Sequence, residues 1–480
     1  MPASAYATPG VYVEEISTLP PSISEVGTAI PVFIGSTANH DETGPVVVKE
    51  INSLRQYEDV FGRSPASQWQ VKFDQSTGAY HLQDKQGQPV STYSQPAALL
   101  WYAIDLYFRN GGSRCYVVSV AAAKTDAPPS AAAFQKGLAE LERYDEPTLV
   151  LIPEVSQLSP TDFGTVSQMA LAHAGKLQDR FVILDAKPIN SPELTDKDLQ
   201  DLREKLGTKD LDRGAIYFPY VMTSLPHIYS EADLQVLGIS ASDSGHSADP
   251  NAHQGDAGAS NVSTMLTALA TTNTSAYNAI KKLLNEQRVI LPPSAAVAGA
   301  IVSIDRERGV WKAPANVSLQ SVVAPVLQLT DEDQARLNVD ATTGKSINAI
   351  RSFAGKGTLI WGARTLAGND NEWRYISVRR LFITIEESVK KATAFAVFEP
   401  NDSSTWLKVK GMIDSFLYSL WERGALQGAK PEDAYFVHVG LNKTMTADDI
   451  LNGLLIVEIG LAAVRPAEFI ILRFSHKLAQ

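Results

Sequence analysis

The sequence predicts a multidomain protein of mixed α/β and α+β class, in which a doubly wound α/β domain lies between chain ends that read as strand-like arms. Three observations carry that expectation. Short apolar runs alternate with amphipathic ones between Pro96 and Tyr220, the pattern of a parallel sheet crossed by helices. An extended run, GVYVEEI, stands near the start and is broken by Pro20 and Pro21, which continue neither helix nor ladder. A second extended run, RPAEFIILRF (465–474), is apolar on both faces.

In chain order, GTAIPVFIGST (27–37) reads as a buried strand, and WQVKFDQSTGAYHLQD (69–84) as a hairpin about an STG turn in a polar surface excursion. Leu100, Ile104, Tyr107 and Phe108 recur at helical spacing, and Gly111-Gly112 stops that helix before the strand CYVVSV. A helix near 131–143, the strand TLVLIP, a helix near 160–177, the strand RFVILD, a charged helix at 195–206 and the strand AIYFPY follow. The run 237–260 is crowded with Ser, Asp, Gly and Ala and is expected to be a mobile surface loop. Beyond it a helix is expected near 274–286, and from about 346 a last segment rich in strands and helices. Its helix STWLKVKGMIDSFLYSLWERGAL (404–426) has an apolar stripe of Trp406, Val409, Ile413, Leu417 and Leu420, leaving Lys408, Lys410 and Arg423 off it.

Composition narrows the function. The 480 residues are 44% hydrophobic and 20% charged, ordinary for a soluble globular chain with several cores. A formal charge of −11 argues against general nucleic-acid binding. One cysteine, Cys115, excludes an internal disulfide framework and, inside an apolar strand, reads as a small buried hydrophobe. No signal peptide is expected, and the most apolar late segment, LLIVEIGLAAV, falls far short of the ~20 residues of a membrane span.

The motifs that could carry catalysis or binding are incomplete. TTGKS (342–346) resembles the end of a phosphate-binding loop, but Val339 stands where the first glycine belongs and no strand clearly feeds it. Glu154 and Asp185 close two strands, where open α/β sheets hold ligands, and with His173 and a serine would compose a hydrolase triad. The chain has no G-x-S-x-G elbow, so the plainer expectation is helix capping. His246 and His253 among Asp243, Asp249 and Asp256 lack the rigid frame a metal needs. No catalytic residue, metal site or cofactor is assigned.

What remains is architectural. In the first arm Val11 and Val13 fall on one side, and Tyr12, Glu14 and Ile16 on the other; in the last, Phe469 and Ile471 oppose Ile470, Leu472 and Phe474. Soluble monomers suppress free strands, because unpaired edges recruit other chains. Two such arms invite polymerisation by strand addition.

TPGVYVEEI with GTAIPVFIG, FRNGGSRCYVV, PPSAAVAGAIVSIDRERGVWKAPAN, INAIRSFAGKGTLIWGARTL, EWRYISVRRLF and GLAAVRPAEFIILRF run in order from Thr8 to Phe474. With them the chain resembles the contractile tail sheath proteins of phages, R-type pyocins and extracellular contractile injection systems. The polar insert near 63–95 and the 237–260 run depart from that pattern. The resemblance implies a non-catalytic, subtilisin-like outer α/β domain (99–345) and an inner α+β sheath domain (346–464). It further implies a donated N-terminal arm (1–26), a β-rich segment with an insert (27–98) and a C-terminal strand arm (465–480). It implies a structural subunit of a helical, contracting sheath whose partners are copies of itself, an inner tube, a baseplate and a terminator or cap protein. Assembly is then expected in the bacterial cytoplasm, within a virion or an extracellular particle. Lys408, Lys410 and Arg423 are the residues expected to face the tube. The competing readings are a hydrolase on the α/β domain and a passive shell or adhesin.

Overall fold

The structure is a computed structural model that describes residues 23–41, 44–96, 98–124, 127–189, 193–239, 263–340, 342–469 and 471. The described residues pack as two compact units: those of Gly27–Thr384 with 465–469 and 471, and those of Ile385–Val464 with 23–26.

The centre of the larger unit is a nine-stranded sheet among the described residues, in the order Val317–Ser318, Gly357–Trp361, Asn348–Phe353, Gly214–Phe218, Phe181–Asp185, Leu149–Leu151, Pro31–Thr37, Cys115–Ala122, Val47–Ile51. The six strands from Asn348–Phe353 to Cys115–Ala122 run parallel, and antiparallel strands close both edges. Alternation sets the two faces. Val32 and Ile34 enter one apolar core with Phe134, Phe163 and Val166, while Phe33 enters the other with Ile104, Val297 and Ile301. The helices start where local chemistry dictates: Ser159 accepts from the Asp162 amide ahead of Pro160–Leu177, and Thr195 forms a capping box with Asp198 ahead of Asp196–Lys205. Helix Ser294–Arg308 lies unusually close to helix Leu100–Arg109, because a Cβ on Gly299 would stand 2.5 Å from the Tyr107 carbonyl oxygen.

The sheet draws strands from both sides of positions 98 and 345, since Pro31–Thr37 pairs with Cys115–Ala122 and Asn348–Phe353 with Gly214–Phe218. The hairpin Trp69–Asp74/Ala79–Asp84 forms as expected, and it belongs to a sheet of its own. Trp69–Asp74 lies parallel to Gln235–Leu237, which pairs with Ser263–Met265, and Val71, Leu82, Val236, Leu266 and Ile280 form the core beneath helices Leu266–Thr272 and Thr274–Asn285. The run 237–260, apart from Leu237, Gly238 and Ile239, lies outside the described residues.

A buried ion pair ties two helices of this unit. Arg380, on helix Ile376–Ala392, donates to Asp305 of helix Ser294–Arg308 at 3.1 and 2.6 Å, with side chains 3% and 4% exposed, and also to the Thr28 carbonyl at 3.0 Å.

In the smaller unit, helix Ser403–Glu422 buries Val409, Ile413, Leu417 and Leu420. A two-stranded antiparallel sheet, Tyr435–Val439 with Val457–Leu461, buries Val437 and Val439 while Phe436, His438 and Glu458 stay exposed. Among the described residues this sheet gains no third strand.

Candidate functional site

The strand order of the central sheet reverses at Pro31–Thr37: the next parallel strand, Cys115–Ala122, lies on one side and Leu149–Leu151 on the other. In open α/β sheets this is where a ligand binds, at the carboxyl ends of the strands. Here the protein's own carboxylate stands in the crevice. Glu154, 1% exposed, accepts from the Ser36 amide at 2.8 Å and from the Ser36 hydroxyl at 2.7 Å, and the Leu99 and Leu100 amides at the head of helix Leu100–Arg109 also bond to it. Asp185 does the same for helix Ser294–Arg308, accepting from the Ser294 amide at 2.8 Å and from its hydroxyl. Each carboxylate thus occupies a helix N-terminus that would otherwise offer its amides to an anion.

Burial pushes both carboxyl groups up to about 7, against the pull of the serine hydroxyl and backbone donors. A carboxyl raised in the fold favours its neutral form. Its stabilising contribution is therefore full below about pH 4 and is lost as pH rises through 7, by about 3–4 kcal/mol for each group. Asp185→Asn and Glu154→Gln are expected to flatten that loss. Melting curves between pH 4.5 and 8 check this, and a wild-type-like slope in both variants rules it out.

His173 does not join either carboxylate. It is buried with its Nε2 accepting from Arg180 at 3.1 Å, and burial, reinforced by the Arg180 charge, holds its pKa down at about 4. Ser294 is bonded directly to Asp185 with no imidazole between them, so the triad that the sequence allows on paper is not assembled. TTGKS is a turn. Asp340 accepts from the Thr343 amide at 2.6 Å, buried Lys345 donates to the Arg203 carbonyl at 2.5 Å, and Ser346 donates to the Asn338 carbonyl at 2.6 Å. Lysine and serine are both spent on backbone. Cys115 is fully buried, which pushes its thiol pKa up. Among the described residues no cluster of three His, Cys, Asp or Glu side chains could hold a metal, and no helix is long and apolar enough to cross a membrane. His246, His253 and their acidic neighbours lie outside the described residues.

Of the arm residues, Val11, Tyr12, Val13, Glu14, Ile16, Ile470, Leu472 and Phe474 lie outside the described residues. Phe469 and Ile471 are described, and both are open to solvent, at 72% and 77% exposure. Of the three cations placed on helix Ser403–Glu422 and its end, Lys410 pairs with Asp414 one turn on, and Arg423 donates to Glu25 at 2.8 Å. Lys408 is exposed and forms no ion pair among the described residues. Sequence reasoning missed the pairing of Arg364 with Glu468; its one local signal is a lone carboxylate inside RPAEFIILRF.

Comparison with known proteins places this architecture. Residues 227–366 match the phage tail sheath protein central domain, and residues 368–477 the phage tail sheath C-terminal domain. The chain is 28% identical over 142 residues to the tail sheath protein of Vibrio phage KVP40, covering 30% of this chain and 21% of that protein. It is 24% identical over 115 residues to the tail sheath protein of Enterobacteria phage T4, covering 24% of this chain and 17% of that one. The matches thus span about a fifth of the length of those phage proteins. The likeness to solved structures runs the length of the chain. The sheath complex of an extracellular contractile injection system, PVC, in the contracted state, superposes with a TM-score of 0.63 at 30% identity, over 99% of both chains. The contracted helical sheath of the anti-feeding prophage superposes with a TM-score of 0.63 at 31% identity, over 98% of this chain and 100% of that one. The chain belongs to the tail sheath protein family.

Proposed function

We propose that the chain is the structural subunit of a contractile helical sheath, one that surrounds an inner tube and drives it through a target envelope. The observation that carries this reading is the likeness over 98–99% of the chain to two sheaths in the contracted state. A baseplate belongs at one end of such an assembly, as in the anti-feeding prophage baseplate that the chain also matches, at 31% identity. A terminator or cap protein closes the other. The particle, a virion or an extracellular injection device, is built in the bacterial cytoplasm. On this reading the subunit performs no catalysis, and the α/β region, which includes the strands Asn348–Phe353 and Gly357–Trp361, is a subtilisin-like outer scaffold, with the inner domain drawn from the remainder of 346–464. The plugged crevice at Glu154 is what such a non-catalytic scaffold calls for.

Subunits are joined by donated strands: Val11, Tyr12, Val13, Glu14 and Ile16 from one end, and Phe469, Ile470, Ile471, Leu472 and Phe474 from the other. Ordering a strand costs about 1–2 kcal/mol per residue and each ladder bond returns about 1, so backbone pairing roughly breaks even. Burial decides the balance: Phe469 and Ile471, exposed in the single chain, contribute about 1.5–3 kcal/mol each once covered. A two-stranded sheet is marginal by itself, which makes Tyr435–Val439 with Val457–Leu461 a natural recipient. Head-to-tail donation of this kind builds helices rather than closed dimers. Negative-stain microscopy of the purified assembly tests the proposal: hollow tubes in a long and a short form are expected, and closed shells or compact oligomers would refute it.

The face of helix Ser403–Glu422 that carries Lys408, with Lys410 and Arg423, is the tube-facing surface, read by an acidic tube exterior. Lys408→Glu breaks no ion pair among the described residues, whereas reversal of Lys410 or Arg423 also disturbs Asp414 or Glu25. Lys408→Glu is expected to leave empty sheaths unchanged and to weaken assembly around the tube about fivefold at low salt. Unaltered co-assembly at low salt would remove the electrostatic role.

A further inference from the structure

We propose that Arg364 is a positioning residue for assembly: its ion pair with Glu468 fixes where the C-terminal strand leaves the larger unit and turns Phe469 and Ile471 outward toward a second copy of this chain.

Arg364 follows the hairpin Asn348–Phe353/Gly357–Trp361, and its backbone is itself held from the sheet. The Arg364 amide donates to Asn348 Oδ1 at 2.8 Å, and Asn348 Nδ2 donates back to the Arg364 carbonyl at 2.8 Å. Asn348 is 1% exposed and also reaches the Ile216 carbonyl, at 3.2 Å, in the neighbouring strand. From this fixed base the guanidinium, 5% exposed, donates through Nη1 to the Gly368 carbonyl at 3.2 Å. Its other edge meets Glu468, with Nε at 2.9 and 3.2 Å from the two carboxylate oxygens and Nη2 at 2.5 Å. The contact engages both oxygens, so it sets direction as well as distance, as a lysine's point charge would not.

The residues around Glu468 have no comparable hold. Residues 465–469 and 471 belong to no helix or strand, and among the described residues their only hydrogen bonds are those between Glu468 and Arg364. One carboxylate therefore holds the segment. Only the Glu468 carboxylate is drawn in, its side chain 19% exposed, while Phe469 and Ile471 beside it stand open at 72% and 77% exposure. The pair presents the strand in a set orientation and shrinks the search a partner subunit has to make.

The proposal rests on strand donation, and its test separates the two. In the full chain, Glu468→Gln removes the charge and Arg364→Lys keeps it but loses the fork. A nitroxide at position 471, attached through Ile471→Cys in unassembled protein, reports the anchor; Cys115 is fully buried and stays unlabelled. Both variants are expected to retain a cooperative melt, while the mobile fraction of the label rises and the sheath elongation rate of unlabelled protein falls, by roughly tenfold or more for Glu468→Gln and less for Arg364→Lys. Unchanged label mobility, or wild-type elongation in Glu468→Gln while Ile471→Pro is defective, overturns the anchor and leaves strand donation standing. Normal sheaths from Ile471→Pro remove strand donation, and the anchor with it. Loss of the melting transition in both variants makes the pair an element of the fold and likewise overturns the proposal.

Discussion

A chain lacking residues 1–20 is expected to be soluble and to melt cooperatively, yet to build no long sheaths. The expectation follows from the proposed strand donation: a strand donated to a neighbour's sheet would have its apolar residues covered only in the polymer, so removing it would cost the monomer little. Val13→Pro deletes one ladder donor without shortening the chain and should reproduce the defect, because proline interrupts a central pairing. Ile471→Pro is expected to be at least as severe, since Ile471 sits in the run that is apolar on both sides. Thermal melting and electron microscopy of the three proteins check this. An unfolded deletion variant would mean that the first strand pairs within its own chain, and full-length sheaths from it would mean that the arm is not an assembly element.

The second large effect lies inside the larger unit. Arg380→Ala is expected to cost about 3–5 kcal/mol, because it strands the Asp305 carboxylate at 4% exposure with its partner gone. For a unit of this size that is a fall of about 5 °C in melting temperature. The double variant Asp305→Leu/Arg380→Met should recover most of the loss, since an apolar pair of similar volume avoids both desolvation penalties. Equal losses in the single and double variants would show that the helix contact, rather than the charge, carries the energy; calorimetry on all three proteins decides.

How much of this was legible depended on whether the signal was local. The apolar run PVFIG, the Ser159-Pro160 start and the Gly111-Gly112 stop each act over a few residues; the two helices stand within a residue or two of where the sequence puts them, and the strand ends at Thr37 as expected but begins at Pro31, four residues later than expected. The pairing of Trp69–Asp74 with Gln235–Leu237 was not legible, because no residue in either strand names a partner 165 positions away. For the same reason the hairpin looked like a surface excursion rather than half of a small sheet, and Asn348–Phe353 was not seen to continue the parallel sheet. Glu154 and Asp185 were legible as strand-end carboxylates. Their placement needed distant groups to arrive beside them: for Glu154, the Leu99 and Leu100 amides of helix Leu100–Arg109 and Ser36, 118 residues away in the neighbouring strand, and for Asp185, Ser294 of helix Ser294–Arg308, 109 residues away. The hydrophobic stripe of helix Ser403–Glu422 was plain from its period, whereas the engagement of Lys410 and Arg423 by Asp414 and Glu25 was not.

The separation of Arg364 from Glu468, 104 residues along the chain, has a consequence for synthesis. A ribosome adding about 5–20 residues per second needs roughly 5–20 s to deliver that carboxylate after the arginine has been made. Through that interval the growing chain holds an arginine whose counter-ion does not yet exist, and residues 385–464, the bulk of the smaller unit, are made within it. A nascent subunit on a polysome, crowded by others like it, would therefore lack an oriented closing strand until translation has passed Glu468, and sheath growth would draw on released chains rather than on those still being made.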